Sequence, residues 1–129
     1  MINSGIYNYI NVLDKAADAS WLRNNVISNN IANATTPNYK RQDVQFESYL
    51  MTALAGEDSL DEGVSDLDLS EVTATTYTEY AGLSYRMDGN NVDISTENAE
   101  LAKNQLRYYT LVDSINKEFN GIKTVLTSK

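Results

Sequence analysis

Between Leu101 and Leu126 the apolar pattern of this chain repeats every seven residues, and that repeat limits the possible folds more than any other feature. Leu101, Tyr108, Ile115 and Ile122 form one column, and Gln105, Val112, Phe119 and Leu126 form the complementary one. Alternating steps of four and three residues keep both columns on one side of an α-helix, as in a coiled-coil seam. Ser95 is a suitable N-cap and Glu97 suits the first turn, so a helix is expected over 95–129. Gly121 interrupts it at about 1 kcal/mol, which allows a bend or a close approach there.

A seam needs a partner, and the other end of the chain offers one. Ile6, Ile10, Leu13, Ala17, Ile27 and Ile31 recur at helical spacing, with Ser20 and Asn24 in the missing places of the same stripe. This predicts one long amphipathic helix over 1–34 with a polar middle. Its second half, from Asn24 to Asn33, is rich in asparagine, which costs about 0.6 kcal/mol relative to Ala at each helix-interior position. Such a helix is weak alone. It must stop before Pro37, whose ring pushes the preceding residue away from helical angles. The expected fold is therefore mainly α, with the two end helices paired in an antiparallel coiled-coil core. Two helices bury little by themselves, so the seam reads first as an inner core of one chain and second as a contact between chains.

The middle, residues 35–94, is expected to be irregular and acidic. Val44 to Met51 suits either a short strand or the start of a helix through Ala55, the helix being preferred because Leu50, Met51, Ala53 and Leu54 follow. Seven acids and two Gly between Gly56 and Glu71 dilute three Leu and one Val, which reads as a solvated loop. The spacing of those acids lacks the central Gly and terminal Glu of a calcium-binding loop. Val72 to Tyr80 is β-prone, and a second short run, Leu83 to Met87, leads through Asp88-Gly89-Asn90-Asn91 to Val92-Asp93-Ile94; Asp-Gly between β-prone runs predicts a small β-hairpin here.

Composition excludes several functions. The chain has neither His nor Cys, which removes the usual neutral-pH base, the thiol nucleophile and most zinc, haem and iron–sulfur ligand sets. No cofactor, metal or catalytic residue is therefore expected. The acids are plentiful, but they cluster where rigid catalytic geometry could not be held. Residues 42–94 hold twelve acids against the single base Arg86, within a net charge of −8, which argues against nucleic acid as a partner. Nine Tyr beside two Phe and one Trp suit wet contact surfaces better than a large dry core. No basic segment followed by an apolar run opens the chain, so a cleaved export signal is not expected, and no stretch is long and apolar enough to span a membrane.

One stretch carries more than periodicity. Asn29-Asn30-Ile31-Ala32-Asn33-Ala34-Thr35-Thr36-Pro37-Asn38-Tyr39-Lys40-Arg41 closely resembles the signature N-I-A-N-x-x-T-P-x-Y-K, which ends the first helix of bacterial flagellar rod and hook proteins. Gln42 to Phe46 resembles its continuation in a small proximal rod subunit. Met87-Asp88-Gly89-Asn90-Asn91-Val92-Asp93-Ile94, then Glu97 and Ala99 to Tyr108, is similar to that subunit's C-terminal half. Asn38 departs from the pattern, standing where Gly is common in the family, and the acidic middle matches nothing in it.

The resemblance implies a single rod-type domain over 1–129, exported without a cleaved signal through the flagellum-specific apparatus to the base of the rod. It implies a structural subunit of the axial drive shaft that transmits torque, packed against copies of itself, other rod subunits, the rod–ring adaptor protein and the export gate, with no small-molecule substrate. Asn29, Asn30, Ile31, Asn33, Thr36, Pro37, Tyr39 and Lys40 are the implied motif and contact residues, although several of them could equally cap a helix and build a turn. Helix-interior Asn amides are then expected to bond neighbouring subunits, with folding coupled to assembly. The competing reading is a small secreted helical hairpin of another export system, of the kind with Trp-x-Gly at its turn; here Trp21-Leu22-Arg23 lies inside a helix instead.

Overall fold

The computed structural model describes residues 4–80 and 86–128. Two long helices dominate it: α1 over Ser4–Ala32 and the C-terminal helix over Ile94–Thr127. At 1.5 Å per residue they run about 43 and 51 Å, far longer than a helix in an ordinary small domain. They pack antiparallel: Asn30 meets Glu97 at one level, and further along Ser20 meets Asn104 and Trp21 meets Tyr108. Between them come β1 (Gln42–Gln45), α2 (Glu47–Leu54), α3 (Leu60–Ser65) and β2 (Thr75–Thr78), and the C-terminal helix is α4.

α1 ends as Pro37 requires, with Asn33 and Ala34 donating to the carbonyls of Asn29, Asn30 and Ile31 in a tightened last turn. The start of α4 differs from expectation. Its N-cap is Asp93, whose Oδ1 accepts from Ser95 N at 2.9 Å and Thr96 N at 3.2 Å. Both residues are good caps, but the ionised Asp93 also faces the positive end of the helix dipole, and Ser95 is left in the first turn.

The seam of α4 is divided. Ile122 is buried against the pair, and Leu101, Tyr108, Val112 and Ile115 are half-buried. Phe119 and Leu126, at 51% and 67% exposure, face away, as does Gln105. On α1, Ile10, Ala17 and Ile27 are buried and Ile6, Leu13 and Ile31 half-buried.

A second face of α1 covers a small core in which Ala19 packs on Phe46 and Val72, with Ala16, Leu50, Leu67 and Ala74 around them. Residues 57–71 are therefore not simply a solvated loop. They contain α3, capped by Ser59 Oγ accepting from Glu62 N, and Val64 is buried. Ser59-Leu60-Asp61-Glu62 is a capping box that the excess of acids obscures. Tyr9 donates to Asp61, which ties α3 to α1.

The stretch from Val44 to Met51 is both strand end and helix: β1 stops at Gln45, and α2 starts after the buried Phe46. The small sheet is not built by the expected local hairpin. β2 pairs antiparallel with β1, from Gln42 opposite Thr78 to Gln45 opposite Thr75. Leu83, Ser84 and Tyr85 of the run expected before the Asp88-Gly89 turn lie outside the described residues; Val92 and Asp93 after it are not in a strand, and Asp88 holds the turn that follows α1 through its carbonyl.

Candidate functional site

The two motif blocks, fifty residues apart, meet at the closed end of the helix pair. The ladder of the small sheet shows why. Glu79 N donates to Arg41 O at 2.9 Å, so 41 and 79 form a hydrogen-bonded pair, and pairing alternates from there. Gln42 and Val44 consequently turn their N–H and C=O groups away from β2. An unpaired strand edge is costly when covered.

α1 serves as the missing neighbour. The Asn30 carboxamide donates to Gln42 O at 2.8 Å and accepts from Gln42 N at 2.9 Å, as another strand would. Seven residues back, Arg23 Nη2 donates to Val44 O at 2.8 Å, while Val44 N is held by the Asp43 carboxylate at 2.7 Å. Asn30 is completely buried, and its remaining capacity goes to Glu97 Oε2 at 3.2 Å and the Tyr39 hydroxyl at 3.1 Å. Tyr39 in turn accepts from Asn29 Nδ2 at 3.0 Å.

Around this bond set sits a charged clamp. Arg41 Nε donates to the buried Glu97 at 2.5 Å, its Nη1 to Glu79, and Nη2 lies 3.5 Å from Asp43. Burial opposes the charge on Arg41, but its hydrogen bonds from Nε and Nη1 to Glu97 and Glu79 outweigh that and raise its pKa. Arg23 makes a two-pronged pair with Glu47 at 2.6 and 2.7 Å, and Arg107 of α4 reaches the same carboxylate at 2.9 Å. The Arg23 hydrogen bonds, working against burial and helped by the charge of Arg107, hold the Glu47 carboxyl down at about 2. The same bonds raise Arg23 in return.

The second block completes the junction. Asn90, also fully buried, donates to the carbonyls of Asn33 and Thr36 at 2.8 Å each and accepts from Val92 N at 2.8 Å. Asn91 accepts from Arg41 N at 2.7 Å and donates to Glu79 O at 2.8 Å. Arg86 donates to Ala34 O, and Lys40 to Gly89 O. Asn38 has φ of +60°, in the left-handed region, and its N–H donates to Asp88 O at 2.7 Å. Asn tolerates that conformation better than other side chains, which accounts for its standing where the family has Gly.

Of the motif residues, the structure thus joins Asn29, Asn30, Asn33, Thr36, Tyr39 and Lys40 in one network. Ile31 is half-buried, and Pro37 is exposed at the turn. The amides of Asn29, Asn30 and Asn33 already bond within the chain, Asn33 Nδ2 to Asn29 O at 2.8 Å. They do not wait for neighbouring subunits, because the turn at Pro37 brings the chain back within reach. Arg23, Arg41, Glu79, Asn90 and Glu97 carry as much of the junction and were not among the predicted site residues. The free edge of β1 is the signal for them, and it exists only once β2 is paired. Among the described residues no group of three or more acids is placed to hold a metal ion. What the arrangement can do is fix the angle and register of two long helices.

A rigid junction at one end of an extended helix pair, built from these two blocks, defines an axial structural protein. The family profile described as flagella basal body rod protein matches residues 10–40, which end in the junction. The chain is 39% identical over 117 residues to the flagellar basal body rod protein FlgB of Bacillus subtilis, covering 89% of this chain and 90% of that one. It is 35% identical to FlgB of Borreliella burgdorferi over 120 residues, covering 84% and 88% of the two. With FlgB of Cereibacter sphaeroides it shares 32% over 105 residues, 81% and 82% of the two chains. The chain belongs to the FlgB family of flagellar basal body rod proteins.

Proposed function

We propose that this protein is a structural subunit of the proximal flagellar rod and that its helix pair transmits torque between neighbours in the axial shaft. One observation carries the reading. The junction satisfies its own polar groups, whereas α4 leaves Leu106, Tyr109, Phe119, Val125 and Leu126 exposed along its length. A self-contained clamp with an uncovered apolar flank is suited to packing in a larger helical assembly. Shear applied to one helix passes to the other through buried, hydrogen-bonded contacts rather than through a flexible linker.

Under this reading residues 1–129 act as one rod-type domain, located in the basal body after export. The partners are other rod subunits, copies of this chain, the rod–ring adaptor and the export gate; neither nucleic acid nor a small-molecule substrate is among them. The exposed Asn29, Thr36 and Pro37, the partly covered Lys40, and the outward Phe119 and Leu126 supply subunit contacts. Ordering on assembly belongs to the end of the pair far from the junction, where Ile6, Leu13 and Ile115 are only half-buried.

Hydrogen exchange on the purified chain, alone and mixed with rod partners, tests this. The junction residues 27–42 and 88–104 should be protected in both samples. Residues 5–13 and 112–126 should exchange rapidly alone and become protected in the mixture. Strong protection at those ends in the isolated chain, unchanged by partners, would refute the proposal.

A further inference from the structure

The small sheet has a second edge, and it is bare. Pairing alternates from the Arg41–Glu79 pair, so Thr76 and Thr78, opposite Val44 and Gln42, turn their N–H and C=O groups away from β1. Among the described residues nothing bonds those groups, and Thr76 is exposed and Thr78 half-buried. The edge on the far side of β1 is treated differently, since Asn30, Arg23 and Asp43 each supply a partner to it. β2 also lacks the devices that blunt an open edge: Thr75-Thr76-Tyr77-Thr78 carries no charge and no Pro. A β-prone strand with unpaired backbone groups on one side is built to take a further strand.

The surroundings say what that strand must carry. A groove of about 430 Å³ runs from Tyr77 and Glu79 to the start of α4, where Asp43, Glu79, Asp93, Glu97 and Glu100 stand against the single base Arg41. Partial burial and then the carboxylates of Asp43 and Glu79 raise the Tyr77 phenol above its ordinary pKa, with Arg41 and Arg23 only partly offsetting them. Side chains of an added strand alternate between the two faces of the sheet, so every second one lies on the groove side with Tyr77 and Glu79 and the others lie beside Thr76 and Thr78. Cations suit the first set and β-branched residues the second. A second copy has no such segment to offer, because every base among the described residues lies on α1, on α4 or in the junction at Lys40, Arg41 and Arg86. Pairing β2 with β2 of a copy would also bring two acidic grooves together, on chains of net charge −8. We infer that the outer edge of β2 accepts, through the backbone of Thr76 and Thr78, an extended segment of a different protein that alternates basic with β-branched side chains. The inference is separate from the rod-subunit reading and makes no use of the exposed flank of α4.

The probe is a synthetic peptide, acetyl-Lys-Val-Lys-Val-Lys-Val-amide, with a counterpart in which Glu replaces each Lys. Amide exchange of the full chain, labelled with nitrogen-15, is followed by NMR with and without each peptide. The basic peptide should slow exchange at Thr76 and Thr78 by about tenfold or more, and leave Thr75 and Tyr77, whose N–H groups already face β1, unchanged. The acidic peptide should bind about tenfold more weakly, a gap that narrows at high salt. Thr76→Pro removes an outward donor and no bond to β1, and should lower affinity for the basic peptide about tenfold while circular dichroism is unaltered; Thr76→Ala, which keeps the N–H, should bind as the unaltered chain does. The alternation in exchange needs no variant. Its absence, equal slowing along the whole of β2, or equal affinity for the two peptides overturns the inference. So does protection of Thr76 and Thr78 in the chain alone that grows with protein concentration, which would make a second copy the occupant.

Discussion

Replacing Asn30 by Leu tests the claim that α1 acts as the missing strand beside β1. Leucine keeps the heavy-atom number and branching of asparagine, so the substitution leaves no cavity. What it removes is the pair of bonds to Gln42, whose N–H and C=O have no ladder partner because they face away from β2. Each buried polar group left unpaired costs about 1–3 kcal/mol. Two such groups, on a half-buried residue, put the loss at about 2–4 kcal/mol. The Tyr39 hydroxyl keeps Asn29 and the Glu97 carboxylate keeps Arg41, so neither adds a full penalty. With a urea dependence of about 1–3 kcal/mol per molar, the unfolding midpoint should fall by on the order of 1–2 M. Urea titration followed by far-UV circular dichroism and by Trp21 fluorescence reads it. Asn33→Ala is the control: its side-chain bonds stay within the exposed last turn, and the backbone carbonyl that Asn90 uses survives, so about 0.5 kcal/mol is expected. If Asn30→Leu costs no more than Asn33→Ala, the edge-capping argument fails.

The same titration checks three further expectations. Arg41→Ala strands Glu97 in the interior with only the Asn30 amide and should cost about 3–5 kcal/mol; Arg41→Lys should recover less than half, because one ammonium cannot serve Glu97, Glu79 and Asp43 together. Gly89→Ala places a methyl group 2.7 Å from Asn38 Oδ1 at a φ of +77° and should cost about 2–3 kcal/mol; Asn38→Gly should cost under about 1 kcal/mol alone and relieve part of the first loss, a coupling that a double-mutant cycle measures. Glu47, held down at about 2 against an ordinary 4.5, stabilises the fold fully above pH 4.5 and loses that contribution as pH falls towards 2. Since its side chain is about half exposed, screening reduces the contribution to on the order of 1 kcal/mol, and Glu47→Gln should flatten the acid limb of stability against pH by that amount.

Local rules read along the chain located the long elements of this protein. The helical periods of both ends, the stop before Pro37 and the asparagine-rich signature are carried by neighbouring residues, so α1 and α4 and the family were legible without coordinates. Ser59 to Glu62 was legible too, as a capping box, but the surrounding acids drew attention to solvation instead. Tertiary structure decided the rest, because each remaining choice lay between locally equivalent options. β2 is β-prone without naming its partner, and it joined β1, whose outer edge α1 could cover through Asn30 and Arg23. Both columns of the α4 seam are equally regular in sequence; only the direction of approach of α1 left Phe119 and Leu126 outside. The buried Glu97 would be a liability read alone, and it is stable where it stands because Arg41 and Asn30 arrive from fifty or more residues away. Helix periodicity is a property of adjacent residues, whereas the partner of a buried polar group depends on which distant segment the fold brings beside it.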